Sequence, residues 1–271
     1  MITWFTGLSP RRRIFAAVLA ALTVAGILAA AGAAIGGRSD SRPESSRPPR
    51  YPPQDRPGPV LLVPGYGGST GSLSVLARAI RATGRTATVV ALPGQGTGSL
   101  IRDAAVLNDA VRRALRGGAP SVDVIGYSAG GVTALAWARD DGGDRKARRI
   151  ITLGSPFHGT VIAATAQAFA PGACPVACRQ LVPGSSLLTR LVGGAPARLP
   201  WLSLWTTDDL TVLPPASARL PGAMNVPIQS VCPRQQISHS QLPTSPVVTA
   251  IVLQAIGPGP IRRPEPAVCR A

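Results

Sequence analysis

Between Val60 and Ile256 short apolar runs alternate with amphipathic stretches, and this alternation restricts the fold more than any other feature of the chain. Residues 60–63, 88–92, 122–125 and 149–153 are nearly continuous runs of aliphatic and β-branched side chains. Strands of that kind, without in/out alternation, belong to a sheet covered on both faces. Two further strands are predicted at 201–206 and 223–228. Helices are predicted at 73–83, at 101–116 with Ala105, Leu107, Val111 and Leu115 on one face, and at 247–256, which stops at Gly257-Pro258. Strand and helix in alternation imply a mostly parallel sheet joined by right-handed crossovers. From Val60 to the end there are 212 residues, enough for one α/β domain with its own core.

The run 122–125 is followed directly by Gly126-Tyr127-Ser128-Ala129-Gly130, and a helical stretch, 132–138, comes next. A serine flanked by glycines at a strand-to-helix turn is held at the carboxyl edge of the sheet, with the amides of the following helix aimed at the same point. Ser128 is therefore the candidate nucleophile. A plain Gly-rich connection is the competing reading. The loop after the first strand, Val63-Pro64-Gly65-Tyr66-Gly67-Gly68-Ser69, can offer a second amide toward Ser128. The backbone N–H groups of Tyr66 and Ala129 are the expected oxyanion donors. No lysine follows the glycines, which excludes a phosphate-binding loop.

Only two histidines exist, His158 and His239. In hydrolases built around such a turn the order is serine, acid, histidine, which selects His239 as the base and leaves His158 a loop-fastening role. Six acidic residues follow Ser128. Asp140, Asp141 and Asp144 end the nucleophile's own helix, and Glu265 comes after His239. Asp208 and Asp209 remain as candidate acids, and spacing does not choose between them.

Around this core the chain carries 28 basic and 12 acidic residues, a net charge of +16, and all but one of the basic residues, Lys146, are arginine. The arginines are scattered, without a long basic block, so no nucleic-acid partner is expected. With 45% hydrophobic residues the chain is not wholly disordered, and without a Gly-X-Y period its 30 glycines do not make collagen. Arg11-Arg12-Arg13 precedes 22 uncharged residues, 14–35. That is long enough to cross a bilayer, with everything after it outside. Residues 1–37 are thus expected to be a signal peptide or a retained membrane anchor, through which the protein could associate with a membrane. Residues 38–59, rich in proline and arginine, are expected to be a disordered linker, and 60–271 the folded domain. The four cysteines all lie in the exported part, where disulfides are expected: Cys174 with Cys178 across a short loop, and Cys232 with Cys269 at the tail. No histidine lies near them, so a metal site is not expected.

Several segments together resemble the small secreted lipases and esterases of actinomycete bacteria, within the α/β-hydrolase superfamily. They are Leu62–Gly68, the elbow 126–130, Thr152-Leu153-Gly154-Ser155-Pro156-Phe157-His158-Gly159-Thr160, Trp205-Thr206-Thr207-Asp208-Asp209-Leu210-Thr211-Val212 and Ser238-His239-Ser240-Gln241-Leu242-Pro243. The resemblance implies an α/β-hydrolase fold with helices on both faces of the sheet and a small or absent lid. It implies Asp209 as the acid, no metal or organic cofactor, and two-step hydrolysis of lipid or fatty-acyl esters. The chain departs from the family at Pro64-Gly65, where many members carry His-Gly. An acyltransferase or thioesterase acting on envelope lipids, or a membrane-tethered binding module without activity, are the other expectations. Residues 161–169 and the cysteine loop behind them could wall an acyl groove or form a small lid.

Overall fold

A computed structural model describes residues 52–68, 70–194 and 199–270. The predicted export segment and the linker as far as residue 51 lie outside the described residues. Among the described residues no helix is long and apolar enough to cross a membrane.

Six strands form one sheet: β1 (Val60–Val63), β2 (Ala87–Val89), β3 (Val122–Tyr127), β4 (Ala147–Leu153), β5 (Trp201–Trp205) and β6 (Met224–Pro227). Their order is β2-β1-β3-β4-β5-β6, and every pairing is parallel. Between them run α1 (Thr70–Ala82), α2 (Leu100–Arg116), α3 (Ala129–Asp140), α4 (Val161–Phe169), α5 (Val176–Gln180) and α6 (Ser186–Gly193), and α7 (Pro246–Ala255) follows β6. The apolar runs are continuous because alternate residues feed two cores. Val60 and Leu62 pack with α1 and α7, while Leu61 and Val63 pack with α2 and α3. The chain steps from β1 outward to β2 and then back to β3 on the other side of β1. That reversal opens a crevice between the carboxyl ends of β1 and β3, the place where open α/β sheets bind ligands.

Element ends shift by one to three residues from the sequence reading, and two of the differences bear on the core. β4 begins at Ala147, so Arg148 and Arg149 lie inside it, fully buried. Asp123 on β3 and the carbonyls at the end of α7 receive their guanidinium groups. The stretch expected as linker is held at its last residues: Gln54 donates to the Arg148 carbonyl at 3.1 Å, and the Gly58 carbonyl accepts from Arg85. The three short helices α4 to α6 fill the β4–β5 connection, where the sequence reading marks only residues 161–169 and the cysteine loop behind them.

Candidate active site

Ser128 sits at the turn between β3 and α3 with φ 53° and ψ −128°. A non-glycine residue in that region is strained, and such strain is characteristic of a serine held out at a nucleophile elbow. The turn is possible because the glycines on either side of it carry no side chain where backbone crowds them. A Cβ on Gly126 would meet Gly131 Cα at 2.5 Å, and one on Gly130 would strike the Val63 carbonyl. The Ser128 N–H donates to the Leu153 carbonyl at 2.8 Å, which ties the elbow to the end of β4.

From the serine a hydrogen-bonded chain runs to a buried carboxylate. Ser128 Oγ lies 3.0 Å from His239 Nε2, and His239 Nδ1 lies 2.6 Å from Asp209 Oδ2. Because the carboxylate can only accept, Nδ1 carries the proton and Nε2 faces the serine hydroxyl as an acceptor. The other carboxylate oxygen, Oδ1, accepts from the N–H groups of Thr211 at 2.9 Å and Val212 at 2.7 Å. Asp209 is 1% exposed and His239 7%. Asp208, by contrast, is exposed, and among the described residues its carboxylate accepts only from Gln229 Nε2 at 3.3 Å. The structure therefore separates the two aspartates, bringing Asp209 to His239. His158 is not part of this chain. Its ring nitrogen Nε2 donates to the Arg219 carbonyl at 3.1 Å, and its backbone N–H to Ser217.

Two residues that sequence reasoning passed over seat the histidine. Tyr127 packs its ring 5.2 Å from the His239 ring, and its hydroxyl donates to the His239 carbonyl at 3.2 Å. Burial, reinforced by the negative charge of Asp209, pushes the Tyr127 phenol up to about 12, so it stays a hydrogen-bond donor. Gly154, at the end of β4, has φ 58°, and a Cβ there would meet Leu242 Cδ1 at 2.6 Å and His239 Nδ1 at 3.1 Å. Tyr127 is legible as an aromatic inside the elbow motif. Gly154 has no signal of its own, since its partners lie more than eighty residues away.

Beside Ser128 a cavity of about 190 Å³ opens. Tyr66 forms one side of it, α4 contributes Ile162, Ala163 and Ala166, and Cys178 and Leu181 close the far wall. The Tyr66 backbone follows β1, and Ala129 is the first residue of α3, so its N–H has no acceptor within the helix. Both amides thus belong to the segments that flank the crevice. Cys174 is bonded to Cys178 and Cys232 to Cys269, the pairing expected from their spacing.

A family model described as the alpha/beta hydrolase fold matches residues 58–173. Together with the parallel sheet and the elbow at the end of β3, that match decides the architecture. The chain has the α/β-hydrolase fold. The family match spans the elbow and ends before Asp209 and His239, so those two residues are placed by the three-dimensional structure. Among solved hydrolase-fold structures, Aspergillus fumigatus lipase B is similar with a TM-score of 0.64 and 22% identity, covering 78% of this chain. The chain spans only 56% of that lipase's length. The mature form of Bacillus licheniformis lipase BlEst2 is similar with a TM-score of 0.59 and 17% identity, covering 74% of this chain and 92% of its own. No curated protein matches the chain in sequence.

Proposed function

We propose that this α/β-hydrolase-fold protein is an exported serine hydrolase of carboxylic esters with apolar acyl groups. The observation that carries the reading is the unbroken hydrogen-bonded series Asp209–His239–Ser128, ending at the mouth of an apolar cavity. In the first step His239 Nε2 takes the proton of Ser128 Oγ as that oxygen attacks the ester carbonyl, and Asp209 stabilises the imidazolium that forms. The Tyr66 and Ala129 amides receive the negative charge of the tetrahedral intermediate. The imidazolium then returns its proton to the departing alcohol, and water, activated by the same histidine, cleaves the acyl-enzyme.

The cavity supports this substrate class. Its volume of about 190 Å³ falls below the roughly 300–1,000 Å³ of pockets that enclose a drug-sized ligand. A short acyl group is contained within it, and a fatty-acyl chain would extend beyond it over surface such as that of the exposed lining residue Ile162. The two similar solved proteins are both named lipases, which supports an ester substrate. Export rests on the basic, then apolar, start of the chain and on two disulfides, which persist outside the cytosol.

Turnover of p-nitrophenyl esters of increasing acyl length tests the proposal. Ser128→Ala is expected to lower kcat by roughly 10⁴-fold or more. It is also expected to abolish labelling by a fluorophosphonate, with the melting temperature unchanged. Wild-type-like turnover by the variant would sink the assignment. Product formation on added alcohols in preference to water would redirect it to acyl transfer.

A further inference from the structure

Asp209 is held by a turn of its own making, and that turn is held in its place by a residue of the cavity wall. Thr160 ends the loop after β4 and is the N-cap of α4. Its side chain is buried, and all three of its hydrogen-bonding capacities are used. The hydroxyl donates to the Thr211 carbonyl at 2.8 Å and accepts from the N–H groups of Leu213 at 3.1 Å and Ile162 at 3.4 Å. The backbone follows the same plan: the Thr160 N–H donates to the Leu181 carbonyl, and the Val161 N–H to the Leu213 carbonyl.

One of these bonds bears directly on the acid. The Thr211 carbonyl and the Val212 N–H are two ends of one peptide unit. Thr160 Oγ1 donates to the first at 2.8 Å, and the second donates to Asp209 Oδ1 at 2.7 Å. A peptide whose carbonyl accepts a hydrogen bond is polarised into a stronger donor at its nitrogen. The series of bonds therefore extends beyond the three residues already described, from Thr160 through that peptide to Asp209, His239 and Ser128. Its outer end stands on α4, whose Ile162, Ala163 and Ala166 line the cavity.

We infer that Thr160 is a positioning residue for the ester hydrolysis proposed above, its hydroxyl orienting the turn that presents Asp209 to His239. The inference rests on that reading of the site. A plain N-cap would serve α4 alone, and its loss would disturb the cavity wall and hence substrate binding. A group acting through Asp209 governs the chemical step instead.

The test compares Thr160→Val, which keeps the shape and removes the hydroxyl, with Thr160→Ser, which keeps the hydroxyl. Active sites are counted by fluorophosphonate labelling, and p-nitrophenyl butyrate is the substrate. Thr160→Val is expected to lower kcat per labelled site about tenfold with KM within about twofold, and Thr160→Ser to retain kcat within about twofold. If Thr160→Val does not fold, Thr160→Ala against Thr160→Ser isolates the same hydroxyl. A second readout does not depend on turnover. The low-field proton resonance of His239 Nδ1–H is expected to persist in Thr160→Ser and to shift or broaden in the variant without the hydroxyl. Wild-type kcat and an unmoved resonance in that variant overturn the inference, as does a Thr160→Ser variant equally impaired. Failure of the ester reading is distinct: the wild type itself would then neither turn over esters nor label.

Discussion

β3 carries a buried aspartate at its second residue and leads directly into the candidate nucleophile, and the two ends of the sheet use charge in opposite ways. At the amino end Asp123 pairs with Arg148 through both oxygens, at 2.9 and 2.5 Å, and with Arg85 at 2.8 Å. Arg148 also donates to the Ile256 and Gly257 carbonyls, and Arg149 to those of Ala255, Gly257 and Gly259, around the last turn of α7. Three arginines to one aspartate leave an excess of positive charge, which the negative end of the α7 dipole partly offsets. Burial, then repulsion from Arg148, lowers the Arg149 guanidinium to about 10. At the carboxyl end the polar series runs from Asp209 through His239 and stops at Ser128 Oγ, at the edge of a cavity. The first assembly closes on itself and holds strands to the chain segments at either end of the domain. The second is left open at one end, and that opening is where a substrate can enter.

Removing an acid from each end separates stability from chemistry. Asp209→Asn takes away the acceptor that keeps the proton on His239 Nδ1, so turnover per folded molecule should fall by about 10⁴-fold. Its melting temperature should stay near the wild-type value. Asp123→Ala should do the reverse. It strips buried guanidinium groups of their counter-charge, at a cost of about 3–5 kcal/mol. That is a large part of the roughly 5–15 kcal/mol that holds a domain folded. Activity per folded molecule should be unchanged. Urea unfolding and titrated activity of both proteins check the pair, and an Asp123→Ala enzyme of normal stability but low kcat would erase the contrast drawn here.

How much of each end can be read from the sequence follows from where its partners lie. Ser128 is legible because its signal is local: a strand, two glycines and a helix within a few residues. His239 is legible because only two histidines compete. Asp208 and Asp209 cannot be told apart by composition or order. The choice is made by the carboxylate of Asp209 folding back onto the amides two and three residues ahead. The arginine assembly was out of reach. Adjacent arginines at 148 and 149 resemble a solvated edge, and the groups that bury them lie on β3 and more than one hundred residues downstream at the end of α7. The helices α4 to α6 have five to nine residues each, too few turns for periodicity to stand out. Yet the first two of them, α4 and α5, supply Ile162, Ala163, Ala166 and Cys178 to the wall of the cavity.

A third buried carboxyl sharpens the comparison, because it has neither a base to serve nor a cation to meet. Asp103, in the first turn of α2, is 2% exposed, and its Oδ2 has no hydrogen-bond partner among the described residues. Burial raises its carboxyl from 3.8 to about 6. A folded-state value above the unfolded one favours the protonated form in the folded protein. Its stabilising contribution is therefore complete below about pH 3.8 and is lost as the pH rises through about 6. A shift of that size corresponds to on the order of 3 kcal/mol. Asp103→Asn cannot ionise, so its melting temperature should rise relative to wild type between pH 4 and pH 8, with kcat unaffected. Thermal unfolding of both proteins across that range checks the sign. A difference that stays flat would mean that burial does not favour the protonated carboxyl of Asp103, and that the interior tolerates charge beyond the two assemblies at the ends of β3.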